Sequence, residues 1–310
     1  MPIPSQLEGR LRLPVVAAPM FLVSGPELVI AACKAGILGT FPALNSRTTE
    51  LFEEQLVSLE KELTDNDAPY GVNLIVHRSN PRVEADLEVC VRQQVPVVIT
   101  SLGAVSELVD TVHGYGGLVF HDVTNLRHAK KAIAAGVDGI ITVAGGAGGH
   151  AGVIHPFALV DEIRREFNGT ILLAGCISNG RHVAAARAAG ADLAYMGTRF
   201  IATEESRAQA EYKDMVLAAR PADIVYTAAV SGVNANFMRQ SLEANGFDME
   251  KLLNPTDVDF AKKLTLSDEA EAWKTIWSAG HGVASIHDVV TVSKLVDRLE
   301  IEYRTAVESL

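Results

Sequence analysis

The sequence predicts an α/β fold, a (β/α)8 TIM barrel with a small helical excursion near the barrel mouth. Three observations lead to this prediction. Short apolar runs alternate with segments of helical period, the runs number eight, and two helix-to-strand segments nearly repeat one another. Repeated strand-and-helix units of one handedness favour closure into a barrel over an open doubly wound sheet.

The predicted strands are runs rich in Val, Ile and Leu, each bounded by Gly, Pro or Asn. Such runs, separated by longer helical segments, are typical of parallel strands joined by crossover helices. The strands are predicted at 15–18, 37–41, 70–75, 97–100, 118–122, 139–143, 170–175 and 193–197. The helices between them have apolar residues three and four apart. They are predicted at 27–34, 49–63, 82–94, 126–135, 157–167 and 181–189.

The two similar segments are 131–141 and 186–195. In each, an Ala-rich helix stops at Gly136 or Gly190, the residue type that most often follows a helix end. The chain then turns through Asp138 or Asp192 into the next strand. This repetition predicts that both segments form the same kind of barrel unit.

After the eighth predicted strand the pattern changes. Residues 206–274 carry more charge and little strand character, and they are interpreted as a helical excursion beside the barrel mouth. A final amphipathic helix at 289–303 is predicted to close the barrel wall. We therefore predict a barrel over 1–205, an excursion or lid region over 206–280, and a C-terminal part, 281–310, that completes the barrel.

Composition excludes several classes of partner. A formal charge of -11 over 310 residues argues against a nucleic-acid ligand. The three cysteines show neither a disulfide framework nor a zinc spacing, so a reducing compartment and no metal site are expected. The N-terminus does not resemble a signal peptide and no run of 18 apolar residues occurs. The expected location is cytoplasmic, without a membrane span.

Glycines follow the last two predicted strands, where barrels of this class usually bind phosphate. Gly175 and Gly197 would let backbone N–H groups approach an anion, and a helix beginning near Gly180 adds the positive end of its dipole. One glycine-rich loop is usually only a turn, but two adjacent ones favour a phosphate site. The sequence therefore predicts a cofactor that carries phosphate.

The loop after the sixth strand, 145–152, surrounds His150 with only Gly and Ala. The alternative is a flexible loop whose imidazole reaches solvent, but the absence of bulky neighbours favours a flat ligand beside the ring. His121 and Asp122 end the fifth strand and suit a functional site or a structural pair at the rim equally. The remaining histidines are assigned no role: His77, His113, His128, His155, His182, His281 and His287.

Other catalytic motifs are missing from the sequence. It has no nucleophile elbow, Walker loop, His-Glu-x-x-His or paired-Cys spacing, and no dinucleotide glycine fingerprint follows the first strand. A mouth lined by small residues, with phosphate glycines and one histidine, suits a planar cofactor that carries its own reactivity.

Several motifs together resemble the nitronate monooxygenases, formerly 2-nitropropane dioxygenases, a family of FMN-containing barrels. The resemblance covers nearly the whole chain. It is carried by residues 18–20, 71–74, 147–152, 174–175, 190–192, 196–203 and 277–280.

The resemblance implies FMN as the cofactor and His150 as the catalytic histidine beside it. Ala18 and Met20 would lie against the isoalloxazine, and Asn73 would bond its polar edge. Gly148 and Gly149 would pass close to the ribityl chain or the ring. The other residues implied at the cofactor site are Asp122 and, for the phosphate, Gly175, Cys176, Tyr195, Gly197 and Thr198.

Four positions depart from the family pattern. Val143 stands where a polar residue is frequent, Gly146 where an acidic one is, and Cys176 where a second glycine is. The departures at Val143 and Gly146 lie on the substrate side, so they affect the expected substrate more than the expected cofactor. Asp122 stands where some NADH-using relatives carry a basic residue. This departure weakens the hypothesis that the protein is an NADH:quinone reductase but does not exclude it.

The implied activity is oxidation of an alkyl nitronate or nitroalkane by FMN and O2 to a carbonyl compound and nitrite. The alternative is an NAD(P)H-dependent FMN reductase acting on quinones or enoyl thioesters, as in related barrels. A third hypothesis is a non-catalytic flavin-binding barrel, because a fold does not fix a function. Use of NAD(P)H and assembly as a homodimer are left open.

Overall fold

A computed structural model of the chain describes residues 3–77, 79–103, 105–253 and 274–309. Eight parallel strands close into a barrel, which confirms the predicted fold class. The barrel closes where β9 pairs with β1. The barrel strands are β1 (Val15–Ala17), β2 (Leu38–Pro42), β3 (Tyr70–Ile75), β4 (Val97–Ser101), β5 (Leu118–Val123), β6 (Gly139–Val143), β8 (Thr170–Ala174) and β9 (Leu193–Met196), and β7 (Gly149–His150) lies outside the barrel.

The helices before β9 connect the barrel strands and cover the outer face of the barrel. Those before β9 are α1 (Pro26–Lys34), α2 (Thr49–Glu62), α3 (Val83–Arg92), α4 (Ser106–His113), α5 (Leu126–Ala135), α6 (Pro156–Arg164) and α7 (Gly180–Ala188). Those after β9 are α8 (Thr198–Ile201), α9 (Ala210–Ala218), α10 (Arg239–Ala244), α11 (Met249–Leu253) and α12 (Val292–Glu308). Among the described residues, no helix is long and apolar enough to cross a membrane.

Burial on both faces explains why most residues of the barrel strands are apolar. On β1, Val15 and Ala17 belong to a large cluster that includes helix residues, whereas Val16 packs with side chains of other strands. Successive strand residues point to opposite faces, so one set meets the helices and the other fills the barrel interior. Phe120 and Leu172 belong to the interior set.

The two similar segments place their aspartates alike. Asp138 Oδ2 accepts a hydrogen bond from the Val119 N–H at 2.7 Å, and Asp192 Oδ2 accepts one from the Ile171 N–H at 2.8 Å. Each carboxylate thereby joins the residue just before one strand to the start of the neighbouring strand that precedes it in the chain. The repeated Gly-x-Asp pattern therefore encodes the register between neighbouring barrel strands.

We expect Asp192→Ala to destabilise the barrel more than Asp138→Ala. Asp192 is 5% exposed and also pairs with Arg164 at 2.5 Å, so its loss leaves a cation and a buried N–H without their partner. The expected decrease in the free energy of unfolding is about 2–4 kcal/mol for Asp192→Ala and about 1–2 kcal/mol for Asp138→Ala. Urea unfolding measures both, and equal losses would contradict the burial argument.

Helix α12 occupies the position of a crossover helix. It packs against α7, which precedes β9, and against α1, which follows β1. Leu295, Val296 and Leu299 form its buried face, as the periodicity predicted. The C-terminal helix thus covers the seam where the barrel closes.

The region after β9 contains strands that the sequence analysis did not predict. The strands β10 (Ile224–Thr227) and β11 (Ala235–Met238) form an antiparallel hairpin, and β11 also pairs with β7. Each strand is only four residues long and includes polar residues, so the alternation that identifies a strand is too short to detect. The described part of the excursion is therefore mixed helix and strand.

Candidate active site

A cavity of about 980 Å³ opens at the carboxyl ends of the barrel strands. Such sites usually measure about 300–1,000 Å³, so this one lies at the large end of that range. All twelve residues that the sequence analysis assigned to catalysis or to cofactor binding line it: Ala18, Met20, Asn73, Asp122, Gly148, Gly149, His150, Gly175, Cys176, Tyr195, Gly197 and Thr198. The structure brings them together, and their roles stay predictions.

A chain of hydrogen bonds joins β3, β4 and β5 at one side of the cavity. Asn73 Nδ2 donates to the Ile99 carbonyl at 3.2 Å and to Ser101 Oγ at 2.8 Å. Ser101 Oγ in turn donates to Asp122 Oδ2 at 2.5 Å. Because both amide protons of Asn73 are used within the protein, its side chain can offer a ligand only the acceptor Oδ1.

His121, which precedes Asp122 in the chain, forms its side-chain contact with Thr100. His121 is buried, and its Nδ1 lies 2.7 Å from Thr100 Oγ1. Burial lowers the pKa of His121 to about 4, with a smaller contribution from His128. Burial also raises the pKa of Asp122 to about 6, against the opposing effect of the Ser101 hydrogen bond. A neutral imidazole therefore stands beside a carboxyl group that titrates near neutrality.

We expect Asp122→Asn to stabilise the protein, and more so at high pH. The folded-state pKa of about 6 is above the ordinary 3.8, so ionising Asp122 lowers stability progressively as pH rises between these values, and the full cost remains above them. Asn keeps an acceptor for Ser101 without the charge. The free energy of unfolding should rise by up to about 3 kcal/mol at pH 8 and about half as much at pH 5. Denaturant titrations at both pH values measure it, and an equal gain at both would contradict the raised pKa.

The loop after β8 contains two consecutive residues with positive φ. Gly175 has φ +133° and Cys176 has φ +57°, both in the region that side chains disfavour. Ser178, two residues further along, lines the cavity and is 3% exposed, yet its Oγ has no hydrogen-bond partner among the described residues. A buried hydroxyl without a partner is rare and indicates a group that a ligand would satisfy.

The neighbouring loop after β9 leaves space beside its backbone. A Cβ added to Gly197 would lie 3.8 Å from Ala18 Cβ and from Met20 Sδ, which is ordinary contact. Thr198 Oγ1 accepts a hydrogen bond from the Gly280 N–H at 3.0 Å. The Thr198 hydroxyl proton therefore remains available to an anion.

His150 lies on β7, at the far end of the glycine loop. Its backbone is held opposite Ala235 of β11, and the β10–β11 hairpin fixes both ends of the loop. Asn236 Nδ2 donates to the Ala147 carbonyl at 2.6 Å, and Tyr226 Oη donates to the Ala151 carbonyl at 3.1 Å. The sequence predicted a functional loop here but not the sheet that positions it.

Gly148 has a packing role as well as a place in the cavity wall. A Cβ on Gly148 would lie 2.9 Å from the Gly280 nitrogen and 3.0 Å from the Ala279 carbonyl carbon. The His281 N–H donates to the Gly146 carbonyl at 2.9 Å. The segment around 279–281 therefore packs directly on the glycine loop, so backbone contact alone accounts for a glycine at 148.

The surroundings of His150 favour its neutral form. The ring is accessible because it lines the cavity, but the protein around it desolvates it and lowers its pKa from the ordinary value. His150 Nε2 lies 3.4 Å from Ser231 Oγ, whose proton is donated to the Val233 carbonyl at 3.0 Å. Ser231 Oγ can thus only accept from His150, which places the proton of the neutral ring on Nε2.

Several polar and aromatic residues of the cavity were not predicted from the sequence. Ser101 and Ser178 line the cavity, and Ser231 lies beside His150; no local sequence pattern marks these three serines. Tyr212 and Trp277 stack with ring centroids 5.0 Å apart, and Trp277 begins one of the motifs that carried the family resemblance. That motif is the one sequence signal that pointed to this part of the cavity.

Curated relatives include dehydrogenases and nitronate monooxygenases. A (3aS,4S,5R,7aS)-5-hydroxy-7a-methyl-1-oxo-octahydro-1H-indene-4-carboxyl-CoA dehydrogenase from Rhodococcus jostii is 33% identical over 220 residues, covering 71% of this chain and 61% of the dehydrogenase. A nitronate monooxygenase from Paraburkholderia phytofirmans is 28% identical, with 96% of this chain and 94% of that protein covered.

Solved structures share the fold of this chain, and a family profile matches most of its sequence. FabK from Thermotoga maritima superposes with a TM-score of 0.80 and 27% identity, covering 98% of this chain and 96% of that chain. A nitroalkane oxidase from Streptomyces ansochromogenes shares the fold, with a TM-score of 0.83 at 24% identity over 98% of this chain and 99% of that one. The nitronate monooxygenase profile matches residues 7–302. The chain therefore belongs to the nitronate monooxygenase family of oxidoreductases.

Proposed function

We propose that the protein is an FMN-dependent oxidoreductase that converts alkyl nitronates and O2 into carbonyl compounds and nitrite. The observation that carries this proposal is the position of His150. Its largely neutral imidazole lines the same cavity as the loops after β8 and β9, which are predicted to bind phosphate. The match to a nitronate monooxygenase over 96% of the chain supports the same activity.

The residues present fit FMN. The unpartnered Ser178 hydroxyl, the available Thr198 proton and the open space beside Gly197 lie in neighbouring loops after β8 and β9. A phosphate is the group that such loops bind in barrels of this class. Asn73 Oδ1 is an acceptor and would receive a ring N–H, and Ala18 and Met20 supply apolar contacts.

His150 would manage the proton of the substrate. Bound FMN would supply the electron acceptor and the reaction with O2. In the neutral ring with its proton on Nε2, facing Ser231, Nδ1 is the basic nitrogen, and it would receive the proton from the α-carbon of a neutral nitroalkane. The lowered pKa of His150 keeps the ring in this basic form near neutral pH. After proton transfer, the imidazolium would hold the anionic nitronate in place.

We also propose that the described part of 206–280 acts as a cover over the mouth. Tyr212, Val233 and Trp277 line the cavity from this region. The β10–β11 hairpin would exclude water and orient His150 through β7. The remaining barrel, 1–205 together with 281–310, would then supply the cofactor site.

A second candidate is a reductase or dehydrogenase that acts on thioesters, with NAD(P)H as electron donor. The dehydrogenase relative named for a CoA thioester favours it, as that protein is 33% identical over 71% of this chain. His150 would then protonate or deprotonate carbon beside the thioester carbonyl, which is the same proton transfer on another substrate.

We expect the purified protein to be yellow and to release FMN, not FAD, on heat denaturation. The reason is a single pair of phosphate-type loops and no dinucleotide glycine motif in the sequence. Chromatography of the released flavin measures it, and FAD would contradict the proposed cofactor.

Anaerobic mixing separates the two candidates. Flavin bleaching by an alkyl nitronate but not by NADH is expected for the nitronate oxidase. Fast bleaching by low concentrations of NADH would favour the reductase, and a flavin that neither reagent bleaches would favour a non-catalytic flavin-binding barrel.

A further inference from the structure

The charged residues that line the cavity lie on one side of the barrel mouth. Among the described residues, each Asp, Glu, Lys, Arg or His of the cavity wall belongs to β5, α5 or β7: His121, Asp122, His128, Lys131 and His150. The described residues at the carboxyl ends of β1 to β4 contribute no charged side chain to the wall. A ligand that spans the mouth would therefore meet charge at one end and uncharged surface at the other.

Four apolar side chains line the cavity on this uncharged side. They are Phe21 after β1, Leu44 after β2, Ile75 at the end of β3 and Leu102 after β4, and they are called the apolar wall below. Leu102 is 54% exposed, and the other three are half-buried. Apolar surface that is grouped in a cavity and left in contact with water favours an apolar ligand, because binding removes that surface from water.

Asn45 fixes the loop that carries Phe21. Its Oδ1 accepts the Leu22 N–H at 2.9 Å, and its Nδ2 donates to the Met20 and Ser24 carbonyls at 3.0 and 2.7 Å. One side chain thereby joins the loop after β1 to the loop after β2. This part of the apolar wall is therefore held by the protein itself.

Leu102 has a backbone conformation that leucine disfavours. Its φ is +65°, in the left-handed region where a side chain is strained. The Val76 N–H donates to the Ser101 carbonyl at 2.8 Å, and a Cβ on Gly103 would lie 2.5 Å from the Val76 carbonyl oxygen. The chain is thus fixed on both sides of Leu102. Core packing does not explain a strained and exposed leucine at the mouth, and such strain is typical of functional positions.

The apolar wall and His150 lie on different sides of the mouth. The glycine loop that ends at His150 follows β6, and Leu44 follows β2. In the closed barrel, β2 and β6 are four strands apart in either direction, so they are opposite each other. A small nitronate at His150 would leave the apolar wall in contact with water, whereas a longer one could cover it.

We propose that the apolar wall binds the hydrocarbon chain of the substrate, so that the protein selects medium-chain alkyl nitronates over short ones. This inference rests on the proposed nitronate oxidation and names its substrate class. The anionic end would lie on the charged side, where His150 transfers the proton, and the chain would extend over the wall. Each methylene group that becomes buried should strengthen binding about two- to fourfold.

Calorimetric titration of the purified protein with butanoate, hexanoate and octanoate measures the apolar wall without turnover. A carboxylate has the planar pair of oxygens of a nitronate but lacks its nitrogen. Octanoate should bind at least about tenfold more tightly than butanoate. The kcat/KM values for the nitronates of 1-nitrobutane and 1-nitrooctane should follow the same order. Equal affinity along the carboxylate series would overturn the proposal.

Two exposed leucines provide a matched pair of variants. Leu102→Ala should reduce the ratio of octanoate to butanoate affinity at least about threefold. Leu51 is 43% exposed on α2 and does not line the cavity, so Leu51→Ala should keep the ratio of the parent. Both variants should bind FMN as tightly as the parent. If the two variants behave alike, or if Leu102→Ala loses FMN affinity, the leucine does not serve the substrate chain and the proposal fails.

Leu102→Gly separates ligand binding from packing. Glycine adopts a positive φ without strain, so this variant should be at least as stable to heat as Leu102→Ala, while it loses the preference for octanoate to the same extent. Loss of stability in both variants with the preference kept would show a structural role and contradict the proposal.

Nitronate oxidation by the same samples distinguishes this proposal from the proposed function. A protein that does not oxidise nitronates, but binds octanoate through Leu102, would remove the proposed activity and leave the apolar wall as a hydrocarbon site. Oxidation of short and long nitronates with equal kcat/KM would do the reverse.

Discussion

His150→Asn should retain FMN and lose about 10²- to 10⁴-fold in kcat/KM on a neutral nitroalkane, the range that general-base catalysis contributes. A carbon acid must lose its proton before it can be oxidised, and His150 is the titratable side chain on the glycine loop. Its lowered pKa keeps it deprotonated near pH 7. Asparagine keeps similar polarity and size but cannot accept the proton.

A preformed nitronate should show an intermediate loss in the same variant. It has already lost the proton, so the base is no longer needed, but the bound anion would favour protonation of His150, and asparagine cannot supply that charge. Steady-state assays on the nitroalkane and on its nitronate, with flavin content measured in parallel, give the two ratios. Equal activity of variant and parent on both substrates would remove His150 from the mechanism.

His155→Asn is the matched control for this experiment. His155 lies five residues further on and caps α6, where its side chain accepts from the Phe157 N–H. Asparagine is itself a good helix cap, so this variant should keep both activities. Loss of flavin from His150→Asn alone would show that His150 supports the cofactor site instead of the chemistry.

The barrel was predictable because its signals are local. Each strand is an apolar run between turn residues, and the strands in the structure begin and end within one or two residues of the predicted positions. The Gly-x-Asp segments add a register signal, since Asp138 and Asp192 bond strand N–H groups in the same way. Local pattern and tertiary contact agree in these elements.

The sheet that holds His150 could not be predicted in this way. Strand β7 consists of Gly149 and His150 alone, and it exists because β11 lies beside it, 85 residues later in the chain. Glycine has low strand propensity, so a local analysis assigns the segment to a loop. Asn236 is polar because it bonds the Ala147 carbonyl, a partner that the sequence pattern does not show.

His128, which lines the cavity, shows the same limit for side chains. His128 belongs to a helix with clear amphipathic periodicity, and the sequence analysis assigned it no role. Its orientation depends on Asn125, the helix cap, and its access to the cavity depends on the closure of the barrel. A titratable residue indicates a site only when the folded barrel shows which residues lie beside it at the mouth.

Gly197→Val should weaken FMN binding about 10- to 100-fold or more while leaving the FMN-free protein as stable as the parent. In the proposed site, backbone N–H groups near Gly197 approach the phosphate, and each lost charge-assisted hydrogen bond is worth about 1.5–3 kcal/mol. The backbone of Gly197 has φ -102°, which any residue adopts, and an added Cβ would make ordinary contacts at 3.8 Å with Ala18 and Met20. Flavin titration of the FMN-free protein measures affinity, and thermal unfolding without FMN measures stability.

Gly175→Val is the contrasting variant. Gly175 has φ +133°, so a β-branched side chain there strains the backbone whether or not FMN binds, and this variant should lose stability as well as flavin. Ser178→Ala removes one hydroxyl without adding bulk. It should weaken FMN binding by a smaller factor than Gly197→Val does, and it should leave the stability of the protein unchanged. Full flavin affinity in Gly197→Val and Ser178→Ala together would place the phosphate elsewhere. Loss of stability in Gly197→Val without FMN would show that the space beside Gly197 is needed by the protein and not by the cofactor.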